Sequence, residues 1–190
     1  MLKESLQVLK YLADSKLLLK QAKSMPNVVT LLTGERLSGS WWSHPKSHLI
    51  FRVLSEVVDH RDVLVTKLLS GKDTFIHRDV WPALLGVVSS KEGWQMRGLS
   101  GPGKKLLKCV EEKGIAQQSG PVAKELLARL LVYSEEVHTK SGKHVLQLES
   151  WAHWARRKKV KLTLSPGEGR ALLDQTALRI GAPQRLLPWA

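Results

Sequence analysis

The sequence predicts an α+β chain, mainly helical with short β-hairpins, organised as two small units in tandem. Three observations carry that expectation. Residues 63–77, VLVTKLLSGKDTFIH, set two β-branched and apolar runs around Ser70-Gly71-Lys72, a hairpin signal. The same tripeptide returns at Ser141-Gly142-Lys143, between LVYSEEVHTK and HVLQLES. Each hairpin is followed by a tryptophan-bearing helical stretch, Val80-Trp81-Pro82 in one case and Trp151-Ala152-His153-Trp154 in the other. A repeat of this size favours two domains, and the polar break between Ser89 and Leu99 places them at 1–93 and 94–190.

The elements follow in order. Residues 2–23 carry Leu2, Leu6, Leu9 and Ala13 at helical spacing and read as one long first helix. Pro26 interrupts, and Asn27 caps a short helix through Leu32. The Gly- and Ser-rich residues 33–40 read as a loop. A third helix is expected over 44–58, with Ser43 as its cap, Pro45 in its first turn, and Leu49, Ile50, Val53, Leu54 and Val57 turned inward. After the first hairpin, residues 79–88 form a helix. Residues 99–113 form another, closed by Gly114. In the second unit a helix opens at Pro121 and runs to Leu130, strands follow at 131–138 and 144–148, and a helix starts near Ser150. Ser165-Pro166-Gly167-Glu168 is a capping-box pattern opening a last helix that Gly181 and Pro183 end.

Composition narrows the function. Hydrophobic residues make up 43% of 190, enough for a core. Thirty Lys and Arg against 17 Asp and Glu give a net charge of +13, which attracts a polyanion. No apolar run is long enough to span a bilayer, and the lysines spread through the first 23 residues break up any secretory-signal core. The expected partner is therefore nucleic acid, double-stranded DNA first, with no membrane and no specified protein partner. The lone Cys109 offers neither an intramolecular disulfide nor a multi-cysteine zinc site; it reads as a buried structural thiol in a cytoplasmic, reducing setting.

The residues placed to meet a polyanion fall in four groups. Lys46, His48 and Arg52 lie on the third helix, and Lys124 and Arg129 on its counterpart in the second unit. Lys67, Lys72, Lys140 and Lys143 lie on the hairpins. Arg156, Arg157, Lys158 and Lys159 form the densest positive run. Trp41-Trp42 can stack on unpaired bases or plug the seam between units, and the seam is favoured because large aromatics are mostly buried. Glu35 and His44 are the catalytic candidates, Glu35 as a general base near a flipped nucleotide. His44 and His48 have the spacing of a metal pair, but Pro45 stands where a general base would follow, and no third ligand is fixed by the sequence. Residues 98–105 lack the spacing of a phosphate-binding loop. No metal and no cofactor are expected.

With the residues HTKSGKHVLQLESWAHWARR and the helix-then-hairpin order of both halves, the chain resembles winged-helix proteins. More loosely it is similar to the tandem winged-helix proteins that include the bacterial interstrand-crosslink DNA glycosylases. The resemblance implies two winged-helix-like units and duplex DNA as ligand. That glycosylase family is marked by a Gln-x-Gln or Gln-x-Asp triplet. Here Gln117-Gln118-Ser119 has adjacent glutamines and neither triplet occurs, so the activity is not implied. The expectation is a regulatory or DNA-repair accessory protein. A DNA-processing enzyme and a protein-interaction adaptor are the alternatives.

Overall fold

The computed structural model describes residues 1–138 and 144–190. The chain is α+β, with helices and two three-stranded antiparallel sheets of order β1-β3-β2 and β4-β6-β5. It divides into two compact units. One comprises Met1–Trp81 with Leu172–Pro188 and Ala190; the other comprises Pro82–Ala171 with Trp189. The first break falls earlier than the 93/94 boundary read from sequence, and most of the C-terminal segment belongs with the first unit.

The first unit begins with α1 (Lys3–Ser15), which ends eight residues before the expected point. Lys16 adopts a left-handed conformation (φ 65°), and its N–H bonds the Leu12 carbonyl, ending the helix. Leu17–Leu19 then form strand β1, fully buried and paired with β3 through Leu17↔Ile76 and Leu18↔Phe75. A short apolar run buried on both faces has no periodicity of its own, which is why it reads as a continuation of the helix. In α2 (Val28–Thr33), Asn27 is the cap as expected: its Oδ1 accepts from the Thr30 N–H at 2.9 Å. A 3-10 turn, Trp41–Ser43, leads into α3 (Ser47–Val58), which starts three residues beyond the expected point. Its inward stripe is the predicted one: Ile50, Val53, Leu54 and Val57 are buried with Val8, Leu12, Val28 and Phe75. Each such side chain contributes about 1.5–3 kcal/mol relative to exposure. The buried Ser5 hydroxyl on α1 donates to Glu56 on α3 at 2.6 Å, so the helix contact includes a satisfied polar pair.

Strands β2 (Val63–Leu69) and β3 (Lys72–His77) form the predicted hairpin. Ser70 and Gly71 both take positive φ, 51° and 65°, the conformation of a two-residue primed turn. Leu68 and Leu69 are fully buried, and the Ser70 N–H donates to the Leu186 carbonyl at 2.7 Å. The C-terminal segment therefore holds one side of this turn.

The second unit opens with α4 (Trp81–Val88) and α5 (Gly93–Met96), then α6 (Gly101–Lys113), capped by the Ser100 hydroxyl and ended at Gly114. Strand β4 (Ile115–Gln117) follows, then α7 (Pro121–Ala128), β5 (Tyr133–His138) and β6 (His144–Glu149). The tip between these strands, carrying Lys140 and Lys143, lies outside the described residues. Helix α8 (Trp151–Lys158) is capped by Ser150, and α9 (Pro166–Arg179), which belongs to the second unit only up to Ala171, opens on the predicted reciprocal Ser165–Glu168 box. The core gathers Leu107, Val110, Ala123, Leu126, Val132 and Leu148. Gly169 lets α9 approach α4 closely: a Cβ there would sit 2.5 Å from the Ala83 carbonyl oxygen.

The two units share a plan. A helix precedes a short strand, helical residues follow, and a hairpin closes a sheet in which the short strand pairs with the hairpin's second arm. The second unit has one helix where the first has α2 and α3. Among the described residues, no helix is long and apolar enough to cross a membrane.

Candidate nucleic-acid interface

Helix α3 has two unlike sides. Its buried stripe at 50, 53, 54 and 57 leaves His48, Phe51, Arg52, Ser55 and Val58 outward, all exposed. Among the described residues, His48 and Arg52 have no hydrogen-bond or ion-pair partner. Lys46 caps the start of the helix; it is exposed, and its Nζ donates to the Leu32 carbonyl at 3.2 Å. The three polar contacts predicted for this helix, Lys46, His48 and Arg52, thus lie at or near its N-terminal half.

The tryptophan pair divides in two. Trp41 is buried at 6% exposure, whereas Trp42 is 60% exposed. The rings stack with centroids 4.0 Å apart, and Phe51, itself 51% exposed, stands 5.6 Å from Trp42. Trp41 packs into the first unit's own core, and Trp42 lies open to solvent. Phe51 escaped the sequence reading altogether. Its signal was available, since position 51 falls off the 50-53-54-57 stripe and on the 48-52-55 side.

Glu35 and His44 do meet, with Oε1 and Nε2 2.8 Å apart. The Lys46 N–H donates to His44 Nδ1 at 3.0 Å, so Nδ1 holds its lone pair and Nε2 carries the proton given to Glu35. Both ring nitrogens are occupied, leaving no lone pair to take a proton from a substrate. The pair works as a clasp on the loop entering α3. Because His44 precedes the helix, its metal-like spacing with His48 does not put both on one helical face. Among the described residues, no group of three or more His, Cys, Asp or Glu is arranged to hold a metal ion.

The hairpin lysines differ from each other. Lys67 is half-buried and paired with Asp73 at 2.5 Å, so it stabilises its own sheet. Lys72, immediately after the turn, is exposed.

In the second unit two predicted phosphate contacts, Arg129 and Arg157, are engaged by groups of their own fold, although Arg157 stays exposed. Arg129 turns inward, and its guanidinium donates to the carbonyls of Gln95 and Arg97, both at 2.9 Å. It closes a network around the fully buried Gln95, whose amide donates to Val88 and whose oxygen accepts from Glu92. Arg157 forks onto the buried Glu149 and reaches Glu135 at 3.0 Å, while His153 Nδ1 meets the same Glu149 Oε1 at 2.6 Å. Burial pushes the Glu149 carboxyl upward, but the hydrogen bonds from Arg157 and His153 outweigh it and hold the group below the usual carboxylate range. The same bonds raise the Arg157 pKa. Burial pushes the Tyr133 hydroxyl up, with Glu135 adding to the effect.

Lys124, Arg156 and Lys159 remain exposed, and Lys158 is half-buried. Arg156, Arg157 and Lys158 occupy the last turn of α8, where positive charge complements the helix dipole. That accounts for part of the densest basic run without a ligand. No protein-family model, no curated protein and no solved structure matches this chain.

Proposed function

We propose that the two units are winged helices in tandem and that the chain binds double-stranded DNA, acting as a regulator or repair accessory rather than an enzyme. The observation that carries this reading is the outward side of α3. A helix leading directly into a hairpin presents Lys46, His48 and Arg52 at its open end, in a chain of net charge +13. In a helix-turn-helix, that end of the recognition helix enters the major groove, and the hairpin flanks it. His48 and Arg52 reach base edges; Lys46 and Lys72 hold phosphates. Lys124, Arg156, Lys158 and Lys159 add phosphate contacts from the second unit. The clasped His44 gives no support to acid–base chemistry.

A gel-shift panel of single- and double-stranded DNA and RNA at two salt concentrations tests the reading. Duplex DNA should bind best. About 6 neutralised phosphates should give a log–log salt slope of about −5. An affinity that is flat with salt, or equal for all four polymers, would contradict it.

A further inference from the structure

We infer that Trp42 is a stacking platform for an unpaired nucleobase, so that the first unit prefers duplex DNA carrying an unstacked base over the intact duplex. This rests on the DNA-binding reading and names the substrate feature that the same face selects. In an intact duplex, base faces are covered by their neighbours and only edges are offered in the grooves. A flat aromatic ring therefore finds its match only where a base has left the stack.

The site is built for one such face. Trp41, buried in the core, supports Trp42 from beneath at 4.0 Å, and Phe51 borders it at 5.6 Å. The backbone beneath is fixed from both ends. The Ser40 hydroxyl accepts from the Trp42 N–H, the His44 N–H bonds the Trp41 carbonyl at 3.1 Å, and the Glu35–His44–Lys46 clasp ties down the exit. The ring is thus held in place while staying 60% exposed. The surrounding sequence favours one occupant. Lys46, His48 and Arg52 lie at the start of and along the helix that the turn enters, the same helix that carries Phe51, and basic residues near an exposed aromatic suit a base attached to phosphate.

The test is fluorescence anisotropy with two labelled duplexes of one sequence, one intact and one with a single bulged nucleotide. The wild-type chain should bind the bulged duplex about tenfold more tightly, the effect of stacking one base. Trp42→Ala should bring the two affinities within about twofold by weakening only the bulged complex. Trp42→Phe should keep part of the preference. Equal wild-type affinities, or a Trp42→Ala variant that weakens both complexes alike, would overturn the inference and leave DNA binding standing. No binding to either duplex would overturn both readings. In that case, a wild-type dimer that Trp42→Ala dissociates in sedimentation would assign the ring to a second copy of this chain.

Discussion

The outward side of α3 and two arginines of the second unit, Arg129 and Arg157, look alike in sequence and differ in structure. Arg52 sits one turn beyond His48 on an exposed helix face and makes no hydrogen bond or close ion pair among the described residues, although its charge is felt by Glu56 one turn further on. Arg129 and Arg157 have several each. The planar guanidinium, with five donors, serves either purpose. What separates them is whether a buried acceptor lies within reach. A buried carboxylate such as Glu149, or the carbonyls at the end of a short helix such as α5, captures an arginine before any ligand arrives. A basic net charge therefore overstates the charge offered to a polyanion.

The largest effect that can break this contrast is on Arg157. Arg157→Ala leaves Glu149 buried with His153 as its only strong partner, and should cost about 3 kcal/mol of stability. Urea denaturation measures it; an unchanged midpoint would mean the fork is ornamental. Arg129→Ala should cost about 2 kcal/mol by the same method, since it frees two carbonyls and loosens the Gln95 network.

The pH dependence sharpens the same point. Glu149 has a folded pKa below its unfolded value, so its contribution to stability is complete above about pH 4.5 and is lost as pH falls through the folded pKa. Glu56, held down by the Ser5 hydroxyl and Leu2 amide, and Glu125, held down by Ser100, act in the same sense. Melting temperature should fall between pH 5 and 3, and the fall should be shallower in Arg157→Ala, where burial alone would push Glu149 up. A fall of equal depth in both proteins would contradict the assignment. The smallest effect belongs to the exposed side of α3: Phe51→Ser and Trp42→Ala should each change stability by about 0.5 kcal/mol or less, as substitutions away from a packed core do.

Much of the fold was legible because its signals are local. Asn27, the Ser165–Glu168 box and the Ser70-Gly71 turn each act on backbone within a few residues, and each formed as the sequence implied. The α3 stripe was legible because helical periodicity records which side is buried. Strands β1 and β4 were not. Three residues have no usable period, and both strands exist only because a distant hairpin arm pairs with them. The start of α3 was misplaced because Ser43 belongs to a 3-10 turn, and His44 supplies the acceptor for the Lys46 amide. At the candidate site, the sequence marked Lys46, His48 and Arg52 but missed Phe51. It did not reveal that Lys67, Arg129 and Arg157 are paired, because Asp73, Gln95 and Glu149 become their neighbours only after folding.

The central claim is that α3 offers Lys46, His48 and Arg52 to DNA while Arg129 of the second unit is held by its own fold. The most direct measurement is the affinity of one labelled duplex for Arg52→Ala and for Arg129→Ala at the same salt, with both proteins verified as folded. The account predicts that Arg52→Ala weakens binding about fivefold or more, and that Arg129→Ala binds within about twofold of the wild-type chain. The reverse order, with Arg129→Ala losing binding and Arg52→Ala keeping it, would contradict it.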